Sequence, residues 1–104
     1  MNKYTELSDF EINKKVAERL FLKFTDCFSV VLFEGESFDP CNNPADAMPI
    51  IIENGIAIRP YKTATPVAFN AEIGEFYGHT VYNENILRAA MELFLLIKDA
   101  ENEG

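Results

Sequence analysis

Between Asn85 and Lys98 the chain is apolar at nearly every position. Ile86, Leu87, Met91, Leu93, Phe94, Leu95, Leu96 and Ile97 are joined by Ala89 and Ala90. The strongly polar residues Arg88, Glu92 and Asp99 are spaced so that, on a helix, they form one narrow stripe. A helix this apolar over the rest of its circumference belongs inside a domain, against more than one neighbour. At roughly 1.5–3 kcal/mol per buried large side chain, no other segment offers the core as much.

The upstream pattern predicts elements that can pack around this helix. Ser8 and Glu11 form a capping box, with Leu7 and Ile12 placed as a hydrophobic staple, so a first helix runs from about Asp9 to Phe21. Its core face is Ile12, Val16 and Leu20. The β-branched and aromatic run from Asp26 to Phe33 predicts one strand, ended by Glu34-Gly35-Glu36-Ser37, and Phe38 to Asn43 reads as a loop. Asn43 caps a second helix, Pro44 takes its first position, and Gly55 suits its stop. Pro49 kinks that helix, and a strand through Ile50-Ile51-Ile52 competes with it. Short strands follow at Ile56–Arg59, Val67–Phe69 and Phe76–Tyr82, with turns at Lys62–Pro66 and Asn70–Glu75. Ala100 to Gly104 reads as a frayed acidic tail. Strands gathered in the second half without alternating helices imply an α+β fold, with about three helices on a small, mostly antiparallel sheet. The C-terminal helix is its centre, and residues 1–104 form a single domain.

Composition narrows the class. With 48% hydrophobic and 25% charged residues, the sequence is that of a globular, water-soluble chain. No apolar run reaches the ~20 residues of a membrane span, and the N-terminus lacks a signal peptide's apolar core. Cys27 and Cys41 are therefore expected as reduced thiols in a cytosolic protein. The net charge of −8 is uneven: residues 1–25 carry five basic and four acidic side chains, the remainder four and thirteen. Phosphate binding needs clustered Lys and Arg, so direct nucleic-acid binding is not expected. An acidic surface suits docking on a basic protein, or mimicry of nucleic-acid charge. Monomer and homodimer both stay open.

Three segments carry a family resemblance: Leu7-Ser8-Asp9-Phe10-Glu11-Ile12-Asn13, the long run from Phe38-Asp39-Pro40-Cys41-Asn42-Asn43 through Pro44-Ala45-Asp46-Ala47-Met48-Pro49-Ile50-Ile51, and Asn85-Ile86-Leu87-Arg88-Ala89-Ala90-Met91. Their order and content resemble the NinX-like family of small phage and prophage proteins, a family without an established function. Met48 stands where tryptophan is expected, and Ile86 where proline is common. The resemblance implies phage or prophage origin, a host bacterial cytoplasm, and no catalytic residues to carry over.

The strongest candidate surface is Cys41, Asn42, Asn43 and Asp46 with Arg88. Asn43 and Asn85 each cap a helix, which puts Asp46 and Arg88 at equivalent third positions. Two helix starts, a carboxylate and a guanidinium suit a small polar or anionic ligand, and a weak enzyme is the chemical extension of that idea. The simpler expectation is structural, with Asp46 complementing a helix dipole and pairing with Arg88 or a loop. His79 lacks an orienting carboxylate at a recognised spacing and reads as a strand-end histidine. Cys41 near a helix start is a candidate nucleophile, but packing under a loop is the plainer role. Tyr61, Tyr77 and Tyr82 have few basic neighbours for stacking on bases. No catalytic constellation, metal set or cofactor is expected. The leading functional expectation is an accessory protein that binds a host or phage protein.

Overall fold

The structure, a computed structural model, describes residues 2–75 and 78–103. The elements in chain order are α1 (Asp9–Arg19), β1 (Phe24–Cys27), β2 (Val30–Phe33), β3 (Glu36–Ser37), α2 (Pro44–Glu53), β4 (Ile56–Arg59), β5 (Val67–Asn70), β6 (Thr80–Tyr82) and α3 (Ile86–Glu103). The fold is α+β. The strands form two separate antiparallel sheets, β1-β2-β3 and β4-β5-β6, rather than one.

Helix α3 is the centre of the packing, touching α1, α2 and all three strands of the second sheet. Ala89, Ala90, Met91, Leu93, Phe94 and Leu95 have no exposed surface. Its polar stripe is buried as well, at 8% exposure for Arg88, 1% for Glu92 and 9% for Asp99. That stripe lies against the N-terminal turn at residues 3–6 and α1, with every buried side-chain polar atom among the described residues hydrogen-bonded. The expected frayed tail is instead helical as far as Glu103. Asp99 explains the extension: it accepts hydrogen bonds from Tyr4 and Arg19 and pairs with Lys3 at 3.1 Å, tying the last turns down.

Local chemistry sets the ends of α1. The Glu11 N–H donates to Ser8 Oγ at 3.1 Å and the Ser8 N–H to Glu11 Oε1 at 3.0 Å, closing the capping box. At the other end, the Leu22 N–H reaches the Ala17 carbonyl and the Phe21 N–H the Glu18 carbonyl, each at 3.1 Å. This paired closure needs a left-handed residue, usually glycine, and Phe21 fills it at φ 59°. The helix therefore stops at Arg19, short of Phe21, whose side chain is 91% exposed.

The expected single strand over Asp26–Phe33 is a hairpin. Cys27 pairs with Val30 across a two-residue turn in which Phe28 and Ser29 have φ 50° and 64°. Such turns need positive φ at both centres and favour Asn-Gly, so Phe-Ser conceals the turn from a sequence pattern. The next turn, Glu34-Gly35, has the same sign at both residues and carries glycine second, so Glu36-Ser37 becomes a strand rather than only an ending.

The stretch from Pro44 to Glu53 is helix α2, which excludes the alternative strand through Ile50–Ile52. Asn43 caps it and the helix continues through Pro49, which removes only one interior hydrogen bond. Asn54 closes it and Gly55 follows at φ 63°. Met48 packs partly buried against the core. Strand β6 is confined to Thr80–Tyr82. The expected strand residues Phe76 and Tyr77 lie outside the described residues.

Candidate functional site

The run from Phe38 to Asp46 lies where α1, α2 and α3 begin, and its polar atoms bind those three starts together. Asn13 of α1 works in both directions, donating from Nδ2 to Asp39 Oδ1 at 2.7 Å and accepting the Cys41 N–H at 3.1 Å. Asp46 accepts the Asp39 N–H at 2.9 Å, folding the loop back onto the first turn of α2. Asn43 caps α2 by accepting the Ala45 N–H at 2.9 Å. Asn85 caps α3, taking the Leu87 and Arg88 N–H groups at 3.0 and 3.2 Å. Its Nδ2 donates to the Cys41 carbonyl at 2.7 Å and to Asn42 Oδ1 at 3.1 Å.

Arg88 makes the densest set of contacts. Its Nε donates to Glu92 at 2.8 Å and Nη1 to Asp9 at 2.8 Å. Nη2 lies within hydrogen-bond distance of three backbone carbonyls, Tyr4 at 3.1 Å, Thr5 at 3.3 Å and Leu7 at 2.6 Å. Glu92 also accepts from Asn2 at 3.1 Å and lies 3.5 Å from Asn83 Nδ2. A planar fork with several N–H donors is the only side chain that can satisfy so many acceptors in one place. The hydrogen bond from Arg88 is the largest of the effects that hold the Asp9 carboxyl below the usual carboxylate range.

The expected Arg88–Asp46 pair does not form among the described residues. Arg88 turns to Asp9 and Glu92, while Asp46 turns to the loop backbone. The equivalence of their helix positions is real, but the two helices point their third residues at different neighbours. Asn42 and Arg88 do meet, through Asp9, because Asn42 Nδ2 donates to the other Asp9 oxygen at 3.2 Å. Asp9, Asn13, Asp39 and Glu92 are thus the members of the constellation that sequence reasoning left out. Asp9 and Asn13 lie in the first resemblance segment, Asp39 in the long run beginning at Phe38, and Glu92 in the polar stripe of the last helix, but none of these patterns shows that the four converge.

Cys41 is fully buried beneath the loop, with its thiol pushed up to about 12 by burial and then by the nearby Asp9 carboxylate. A thiol in that state is a poor nucleophile at neutral pH. Cys27 is exposed and unbonded. His79 is exposed, immediately before β6. Tyr61 accepts a hydrogen bond from Arg59 at 3.2 Å, and Tyr82 donates to Glu75 at 3.0 Å. Tyr77 lies outside the described residues. Among the described residues no His, Cys, Asp and Glu grouping could hold a metal ion, and no helix is long and apolar enough to cross a membrane.

Beside this network is a cleft of about 250 Å³ between the start of α1, the Phe38–Asn42 loop and the β1–β2 hairpin. Its lining includes the polar Asp9, Asn13, Asp39 and Asn42 together with the apolar Phe10, Val31 and Phe38. The donors to Asp39 among the described residues are the amides of Asn13 and Asn42, which are neutral.

A family model described as bacteriophage P22, NinX matches residues 3–98, a span that contains the network apart from Asn2. No curated protein and no solved structure matches the chain.

Proposed function

The chain belongs to the bacteriophage P22 NinX family, a phage accessory protein from which we propose that it acts by docking a host or phage protein on its acidic surface, in the host cytoplasm. The observation that supports this role is the fate of its positive charge. Of nine basic residues, Lys3, Lys14, Arg19, Arg59, Arg88 and Lys98 are engaged in ion pairs with the chain's own carboxylates. Lys15, Lys23 and Lys62 are exposed outside such pairs, and they are outnumbered by exposed acids such as Glu11, Glu18, Glu34, Glu36, Glu53 and Glu72. A predominantly negative field steers a partner of the other sign and disfavours polyanions.

Affinity purification from phage-infected bacterial lysate, repeated across a salt series, tests this role. Exposed charges are screened beyond about 8–10 Å at moderate ionic strength, so a specifically retained protein should be released as salt rises. Retention that ignores salt, or no retained protein even at low salt, would overturn it.

A further inference from the structure

We propose that the partner docks at the tip of the β1–β2 hairpin and the cleft beside it, and that the occupant is a basic segment of the partner with an apolar residue next to Lys or Arg. This rests on the protein-docking role above and specifies its surface. Phe28 is 97% exposed, which is rare for a phenylalanine, and it sits at φ 50° where a bulky side chain is an outlier. Packing does not require an aromatic there, because the side chain touches almost nothing. Turn geometry disfavours it, and the neighbouring Glu34-Gly35 turn is built with the usual glycine. Phe21 shares the exposure and the positive φ, and what sets Phe28 apart is the acidic cleft lined by the two residues that follow it.

The surroundings of Phe28 define the complement. Ser29 and Val30, the next two residues, line the cleft, so the aromatic tip and the cleft form one continuous surface. The residues lining that cleft include two aspartates and no lysine or arginine. Arg88 compensates Asp9, whereas Asp39 is held by neutral amides and has no cationic partner among the described residues. A lysine or arginine reaching Asp39, followed by an apolar residue against Phe28, meets both features at once. Aromatic anchors beside desolvated charge are where interfaces concentrate their affinity.

Selection of short random peptides displayed against the immobilised chain tests this directly. Enriched peptides should carry Lys or Arg beside an apolar residue and bind Phe28→Asn or Asp39→Asn roughly tenfold more weakly. Asn suits the turn, so Phe28→Asn should stay folded, and the exposed α2 variant Ile52→Asn should bind like the native chain. Enrichment without basic residues, or equal binding to Phe28→Asn, would overturn the proposal. The lysate experiment separates the two levels. A partner still held by Phe28→Asn sinks this surface and leaves the docking role standing, whereas no partner on the native chain sinks the role itself.

Discussion

Arg88 and Asn42 bind the two oxygens of one carboxylate, that of Asp9, at 2.8 and 3.2 Å. One residue comes from the central helix, the other from the loop before α2, and the shared acid opens α1. The start of all three helices is therefore referred to a single side chain. Each ion pair and amide there replaces water that folding removes, which is why the cluster is polar yet well satisfied.

Replacing Arg88 should be among the most damaging single changes. Arg88→Met leaves the 1% exposed Glu92 carboxylate without its cation and frees three backbone carbonyls. Breaking a buried pair in this way costs about 3–5 kcal/mol. Urea titration should give a much lower midpoint for Arg88→Met, with Arg88→Met/Glu92→Met recovering part of the loss.

Stability should fall with acid in a defined window. Asp9 sits below its ordinary value chiefly through the hydrogen bond from Arg88. Asp99 does so against its own burial, through Tyr4, Lys3 and Arg19. Groups whose folded values are depressed stabilise the fold above the unfolded value of about 3.9, and that contribution is lost as pH falls through the folded values. Thermal unfolding measured from neutral pH downward should be flat until about pH 5 and then decline. Asp99→Asn should be less stable at neutral pH and show a shallower decline.

The two thiols should separate by reactivity. Cys27 is exposed, while Cys41 has no exposed surface and its thiol is raised to about 12. Thiol titration of native protein at neutral pH should label Cys27 alone, with Cys41 reacting only in denaturant. Rapid native labelling of Cys41 would contradict the packing described here.

The two asparagine caps should differ in weight. Asn43→Ala removes one N-cap, a loss of about 0.5–2 kcal/mol. Asn85→Ala removes a cap and also the ties to the Cys41 carbonyl and Asn42. Chemical denaturation should show the larger loss for Asn85→Ala.

Phe21 offers a gain. Its left-handed backbone costs an L-residue roughly 1–2 kcal/mol, and its side chain is 91% exposed. Phe21→Gly should raise the melting temperature, measured by calorimetry at fixed pH.

What the sequence revealed was what neighbours in the chain decide. The Ser8–Glu11 box, the Asn43-Pro44 helix start, the Asn85 cap and the apolar circumference of the last helix all act within a few residues, and each is visible as a pattern. The Phe28-Ser29 turn was hidden because its left-handed pair lacks the usual glycine or asparagine. The reach of α3 to Glu103 was hidden because Asp99 is secured by Tyr4 and Arg19, residues far away in sequence. Likewise Asp9 reads locally as a first-turn acid favoured by the helix dipole, and nothing nearby discloses that Arg88 and Asn42 converge on it. Within the candidate surface, Asn43 kept its expected cap, whereas the Arg88–Asp46 partnership yielded to tertiary geometry.

The N-terminal turn has its acceptors at Tyr4, Thr5 and Leu7, and their donor sits on Arg88. A ribosome releases those carbonyls long before it builds the arginine that closes over them. The N-terminal turn must therefore wait, unsecured, until α3 is made, and a polypeptide cut short ahead of that helix would have neither latch nor centre.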